Sequence, residues 1–186
     1  LLFVLTGSDV RKVNLGEGTL SRPLASSVAE FNLYGTDLIS YVTTYDEIAG
    51  YRTVGIVRDS DKEPIVLRHY AGDKTIPLHV MMTRYFNQDF VVISHGKNVS
   101  VLGGEFPDTT KTVAKSLLPF ASFAFDSDVQ WLQVSASGRF VVAQNGAKYV
   151  GYDLERKVLS PTATLAGSSD PKNLRWLDTY YVWSDG

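Results

Sequence analysis

The chain has 186 residues, a net charge of −2 and no cysteine. This length suits one domain of ordinary size or a piece of a larger one. The charge gives no electrostatic reason to expect nucleic-acid binding, and the absence of cysteine excludes disulfides, thiolate metal sites and a cysteine nucleophile. Hydrophobic residues make up 44% of the chain, which is typical of a folded globular protein and not of a disordered one.

From its two ends we expect the chain to be a piece of a longer polypeptide. It begins at Leu1 with a short apolar run that is too brief for a signal peptide or a membrane span. It ends at Asp185-Gly186, a dipeptide that favours a hairpin turn. We therefore expect any targeting or membrane-anchoring segment to lie outside this stretch.

Short strand patterns follow one another along the chain, separated by turns rich in Gly, Asp, Asn and Ser. Four segments share a turn followed by an aromatic or aliphatic strand: residues 34–41, 86–93, 136–143 and 176–183. A second set of strands stands at residues 2–6, 53–57, 98–102 and 148–152. The best helical candidate is 110–118, which Pro119 ends, and a loop is the favoured interpretation of it.

Both sets of strands recur about every 40–50 residues, which is the length of a propeller blade. The sequence therefore predicts an all-β fold, a β-propeller with four four-stranded antiparallel blades, as a closed ring or as a fragment of a larger propeller. The predicted internal blades span 28–72, 78–107 and 120–160, and the fourth combines 173–186 with 1–15. A β-sandwich whose strands do not repeat is the alternative.

One segment also carries a family resemblance. Ser137-Gly-Arg-Phe-Val-Val142, followed by Tyr149-Val-Gly-Tyr-Asp-Leu154, resembles the blades of the WD40-like and TolB-like β-propeller superfamily. The Gly-His and Trp-Asp marks of true WD40 repeats are absent. Residues 174–183 are also similar to the propeller region of bacterial PEGA-containing envelope proteins. The resemblance implies an extracytoplasmic protein of the cell envelope with a binding or structural role.

Aromatic residues provide the binding candidates, because Tyr and Trp are common in the hot spots of interfaces. Four of them lie near predicted turns and are candidate ligand- or partner-binding residues: Tyr45, Tyr51, Tyr70 and Trp131. Four others are predicted to lie in the core: Phe90, Phe140, Tyr181 and Trp183.

Two acidic segments are the metal candidates, because their carboxylates alternate as in a calcium loop. These residues would bind Ca²⁺ if any do: Asp59, Asp61, Asp126 and Asp128. The Gly and the later Glu of an EF-hand are missing, so solvated turns are the alternative interpretation. His69 and His79 lie near strand ends, but no Cys and no His-Glu pair at helical spacing supports a metal site there.

Sequence motifs for nucleophilic or nucleotide-dependent catalysis are absent, since the chain has no Gly-x-Ser-x-Gly and no P-loop. We therefore predict a non-enzymatic binding or scaffold module with no catalytic residues. Its partner would be a protein, peptide or glycan and not a nucleic acid, with membrane attachment only through segments outside this stretch. An open fragment would also be expected to form a homodimer. The alternatives are a structural spacer or the propeller fragment of a hydrolase or lyase with an axial active site.

Overall fold

The structure, a computed structural model, describes residues 1–104 and 117–164 together with the backbone of two further short strands. Within these ranges the chain is all-β, and its strands pair antiparallel. The described residues divide into two compact units, one formed by 1–75 and the other by the residues from 76 onward. The all-β part of the sequence prediction is confirmed.

Unit 1 contains a three-stranded sheet followed by a four-stranded sheet, each in chain order. The strands of the first sheet are β1 (Leu2–Thr6), β2 (Asp9–Asn14) and β3 (Thr19–Leu20). The strands of the second are β4 (Val28–Tyr34), β5 (Leu38–Thr43), β6 (Tyr51–Arg58) and β7 (Ile65–Ala71). Each strand pairs with the one that precedes or follows it, so both sheets are meanders.

Unit 2 contains a four-stranded and a five-stranded sheet and one separate strand pair. The four-stranded sheet consists of β8 (Leu78–Tyr85), β9 (Gln88–His95), β10 (Asn98–Gly104) and β11 (Leu118–Ala124). The next consists of β12 (Trp131–Val134), β13 (Phe140–Asn145), β14 (Lys148–Asp153), β15 (Val158–Leu159) and β16 (Ala163–Thr164), the last two both pairing with β14. The separate pair is β17 (Leu174–Trp176) with β18 (Val182–Ser184).

Burial separates the inner strands from the outer ones. The inner strands β5, β9 and β13 are buried along most of their length, so both of their faces are covered. Their continuous apolar runs are what burial on both faces requires. The outer strands β7 and β11 contain no fully buried residue and mix half-buried with exposed positions. Each four-stranded sheet therefore has a buried interior and an accessible outer edge.

Within unit 2, the two larger sheets pack face to face. Phe90 and Val101 of one sheet share an apolar cluster with Val141 and Tyr152 of the next. The ring of Phe123 stacks on that of Tyr152 with their centroids 5.4 Å apart. Burial of each large apolar side chain stabilises the fold by about 1.5–3 kcal/mol. This shared cluster is the core of unit 2, and it includes Phe90 as predicted, whereas Phe140 is only half-buried.

The second predicted blade extends further than the sequence analysis placed it. Residues from 120 onward were assigned to the next blade, but β11 is the fourth strand of the β8–β10 sheet, with Val99 opposite Phe123 and Ser100 opposite Ser122. This strand contains Pro119. A proline is tolerated in an edge strand, where its missing N–H is not needed by a second neighbour.

Three parts of the sequence prediction are not tested by the described residues. The pairings among the described residues establish no closed ring, so the propeller remains a prediction. β17 and β18 pair with each other and β1–β3 form a separate sheet, so the blade predicted to join the two ends also remains a prediction. Residues 110–116 of the helical candidate 110–118, Tyr181 and the side chain of Trp183 lie outside the described residues.

Candidate functional site

The structure places three of the four aromatic candidates at one end of the four-stranded sheet of unit 1. Tyr45 lies in the β5–β6 loop, Tyr51 begins β6, and Tyr70 is the penultimate residue of β7. All three are half-buried. Trp131 begins β12 in unit 2 and is 45% exposed.

The β5–β6 loop is ordered by its own polar groups, and this fixes where β6 starts. The Asp46 carboxylate accepts hydrogen bonds from the backbone N–H groups of Ile48 and Ala49 at 2.8 and 2.9 Å. These bonds, that from Ala49 foremost, hold the pKa of Asp46 below its usual value. The backbone of Asp46 also forms a bridge with Tyr51. The loop therefore closes on itself and sets Tyr51 at the end of the sheet.

One face of the β6–β7 pair carries a contact between two aromatic rings. The rings of Tyr51 and His69 lie 4.3 Å apart between centroids, tilted by 45°. His69 Nδ1 lies 2.9 Å from the Thr53 hydroxyl on the neighbouring strand. Thr53 is directly opposite His69 in the register, and its N–H donates to the hydroxyl of Thr43. This network holds the exposed His69 ring in one orientation.

The opposite face carries an arginine and a second tyrosine. The Arg68 guanidinium lies over the ring of Tyr70, 5.1 Å from its centroid, which is a cation–π distance. Burial raises the pKa of Tyr70, and the adjacent Arg68 partly opposes that shift. Arg52 is the cross-strand partner of Tyr70 and brings a second guanidinium to this face. Tyr51, Arg68, His69 and Tyr70 are called the β7 patch below.

The unit 1 calcium candidates are engaged by the protein's own cations and backbone. The buried Asp61 accepts the N–H of Arg58 at 2.7 Å, and its carbonyl accepts from Arg22. Asp59 forms an ion pair with Lys12. These contacts order the β6–β7 connection and tie it to β2.

Of the two calcium candidates in unit 2, Asp126 is engaged by a cation in the same way. Lys148 pairs with Asp126 at 3.0 Å, and this bond lowers the pKa of Asp126. The carbonyl of Asp128 accepts from the Asn145 side chain at 2.6 Å. In the part of the chain that the structure describes, no group of three or more His, Asp or Glu side chains is arranged to hold a metal ion. Binding of Ca²⁺ stays a prediction.

Sequence reasoning missed Arg68 and considered His69 only as a metal ligand. Their role in the patch depends on which residues of β6 lie opposite them, and this register cannot be read from β7 alone. It also missed Phe86, which is 89% exposed in the two-residue turn between β8 and β9. Phe86 and Asn87 both have positive φ, so a bulky residue stands where such turns favour Asn or Gly. The presence of a phenylalanine at this turn position could have been recognised from the sequence.

No protein-family model matches the chain, and a search of curated proteins finds no similar sequence. The candidate site is therefore assigned from its geometry and chemistry. Among the described residues, no helix is long and apolar enough to cross a membrane.

Proposed function

We propose that this chain is a non-enzymatic binding or scaffold module that holds a protein or peptide partner at the β7 patch. The observation that carries the proposal is the pair of rings at the end of β6 and β7, each beside a cationic or titratable group. Tyr and Arg are the residue types that contribute most to interface hot spots. A tyrosine supplies a large contact area while only two side-chain torsions lose freedom.

The side chains of the β7 patch are already held in place, which favours binding. His69 is fixed by Thr53 and Tyr51, and Arg68 is fixed against Tyr70, so these side chains have little rotamer freedom left to lose when a partner docks. Arg68 and His69 are exposed, so a partner can reach them.

The Thr53–His69 pair has the spacing of a nucleophile and a base but lacks access. Thr53 is 9% exposed and lies between two strands, so a substrate would not reach its hydroxyl without opening the sheet. A nucleophile must touch the reacting atom, and this one is a cross-strand sheet contact. The Thr53–His69 pair therefore gives no support to a hydrolase site at this position.

The proposal extends to architecture and location. The successive meander sheets with buried inner strands support a β-propeller related to the WD40-like and TolB-like superfamily, as a closed ring or as part of a larger one. The resemblance to envelope propellers supports an extracytoplasmic location in the cell envelope. A propeller presents its outer strands and its loops to partners, which suits the position of the β7 patch on an outer strand.

Selection from a random peptide library tests the proposal. The chain is immobilised, binding peptides are selected, and their Kd values are measured on the parent chain and on the double variant Tyr51→Ala, Tyr70→Ala. We expect Kd to rise at least tenfold, since the variant removes both rings of the patch. Trp131→Ala, which removes an exposed ring in unit 2, is the matched control and should change Kd less than twofold.

The variants need a folding control, and two results would count against the proposal. Circular dichroism and thermal unfolding verify that each variant is folded, and Arg68→Ala replaces the double variant if that variant unfolds, because the Arg68 side chain is exposed. Selected peptides that bind the patch variants as tightly as the parent chain would overturn the proposal. A glycan array that binds the chain through the same residues, with no peptide selected, would overturn the assignment to a peptide partner.

A further inference from the structure

The outer edge of β7 is open to a further strand. Among the described residues, β7 pairs with β6 alone, so its second edge has no neighbour in the sheet. Val66 is 51% exposed, and Arg68, His69 and Ala71 are exposed as well. Such an edge presents a row of backbone N–H and C=O groups to an incoming chain. β7 has seven residues, which is long enough to pair with an extended peptide.

A β-bulge changes the direction of β7 towards its end. Val54 lies opposite Arg68 and Gly55 lies opposite Val66, so Leu67 is an extra residue in β7. A bulge bends its strand and is common beside binding sites at sheet edges. After the bulge the pairing is regular from Arg68 to Ala71. This regular stretch is where the exposed cationic and aromatic groups lie.

The two faces of this stretch have different chemistry. Side chains alternate between the faces of a strand, so Arg68 and Tyr70 share one face, and His69 lies on the other with Tyr51. A strand added beside β7 would alternate in the same way. Every second side chain would meet the Arg68 face, and the intervening ones would meet the His69 face.

The charges near β7 favour an anion on the Arg68 face. Arg52 lies on this face too, opposite Tyr70. At the end of the sheet where Arg68 lies, three loop carboxylates are engaged: Glu47 pairs with Lys74 at 2.7 Å, Asp73 accepts from Thr75, and Asp46 accepts from its own loop. The guanidinium of Arg68 meets an aromatic face, a contact that leaves donors for a carboxylate.

We infer that the β7 edge binds an extended acidic peptide of a partner protein by strand addition, with a carboxylate facing Arg68. This inference rests on the proposed function and gives the chemical class of the partner. Backbone hydrogen bonds to β7 supply sequence-independent affinity, and the two faces supply selectivity. The opposing account is that Arg68 and His69 are edge charges whose only role is to prevent strand pairing.

A synthetic seven-residue peptide of alternating glutamate and threonine, labelled with fluorescein, tests the inference. Its Kd is measured by fluorescence anisotropy on the whole chain. We expect saturable binding that weakens as salt rises from about 50 to 300 mM, because charge screening acts on an exposed contact. Replacing glutamate by lysine should abolish binding, and N-methylation of alternate backbone amides should weaken it at least tenfold.

Matched variants locate the contact. Arg68→Glu should raise the Kd of the glutamate peptide at least tenfold, and Arg68→Lys should retain part of the affinity. Lys97→Glu makes the same charge change on an exposed turn of unit 2 and is the control. It should change this Kd less than twofold. The inference would be overturned if the N-methylated peptide or the lysine peptide bound the parent chain as tightly as the glutamate peptide does. It would also be overturned if Arg68→Glu left the Kd of the glutamate peptide unchanged, or if that peptide did not bind at all. Library peptides that depend on the β7 patch but are neither acidic nor extended would overturn the inference while the proposed function stands.

Discussion

Gly138 shows how one residue position can be set by backbone geometry. It has a φ of +77°, and a Cβ atom placed on it would lie 2.0 Å from the carbonyl oxygen of Arg84 and 2.8 Å from the Thr83 hydroxyl. Thr83 donates a hydrogen bond to the Gly138 carbonyl, so the β12–β13 turn is joined directly to β8. Two sheets of unit 2 therefore approach here at a distance that only glycine allows.

Gly138→Ala should lower the free energy of unfolding by about 2–4 kcal/mol, because the left-handed conformation costs roughly 1–2 kcal/mol and the clash adds overpacking strain. Gly146→Ala is the control, since Gly146 also has a positive φ but has open space around it. Its loss should be about 1 kcal/mol. Urea unfolding of both variants measures the difference. Equal losses would mean that the contact with β8 is not close in solution.

Arg139 stabilises the segment that carries the family resemblance. Its guanidinium makes a two-bond contact with Asp153 at 2.9 and 2.6 Å and a further contact with Glu155. The hydrogen bond from Arg139 lowers the pKa of Asp153. Asp153 also accepts from the N–H groups of Glu155 and Arg156, so the pair fixes the β14–β15 turn. These residues are structural, and the resemblance carried by this segment therefore concerns fold.

At the scale of elements, inner and outer strands differ in how well the sequence predicts them. The Phe-Val-Val runs of β9 and β13 are recognisable because burial on both faces demands continuous apolar residues. β11 pairs with β10, whereas the predicted blade bounds place residues from 120 onward in the next blade. The β7 patch could be predicted only as two separate tyrosines. Its pairing of Tyr51 with His69 depends on the register of β6 and β7, which the Leu67 bulge shifts by one residue.

The β8–β9 hairpin offers a test of element geometry. Phe86 and Asn87 have φ values of 50° and 61°, and Phe86 is almost fully exposed. Phe86→Asn should raise the free energy of unfolding by about 0.5–1 kcal/mol, because a bulky residue is strained in this conformation and asparagine is favoured in such turns. Thermal unfolding measures the change.

The control for this hairpin is Asn87→Ala, which should be destabilising because alanine tolerates a positive φ less well than asparagine. If Phe86→Asn instead lowers stability, then the Phe86 ring contributes packing, for example with Tyr85, whose ring centroid lies 6.2 Å away. That result would contradict the interpretation of Phe86 as a strained turn residue.

At the scale of the whole molecule, each unit is held by its own core. Unit 1 packs Phe3 and Val10 of its first sheet against Ile39, Tyr41 and Val57 of its second. Unit 2 packs its two larger sheets in the same manner. The outer strands β7 and β11 remain the accessible edges. The binding proposal follows from this division, because the β7 patch lies on such an edge.

The most direct test is amide hydrogen exchange, measured along the whole chain with and without a peptide selected from the library. We expect the peptide to slow exchange in β7, from Val66 to Ala71, and at the start of β6, with little change around Trp131 or in the β8–β9 turn. Protection centred on Trp131 or on Phe86, with β7 unchanged, would contradict the claim that the β7 patch is the partner-binding surface.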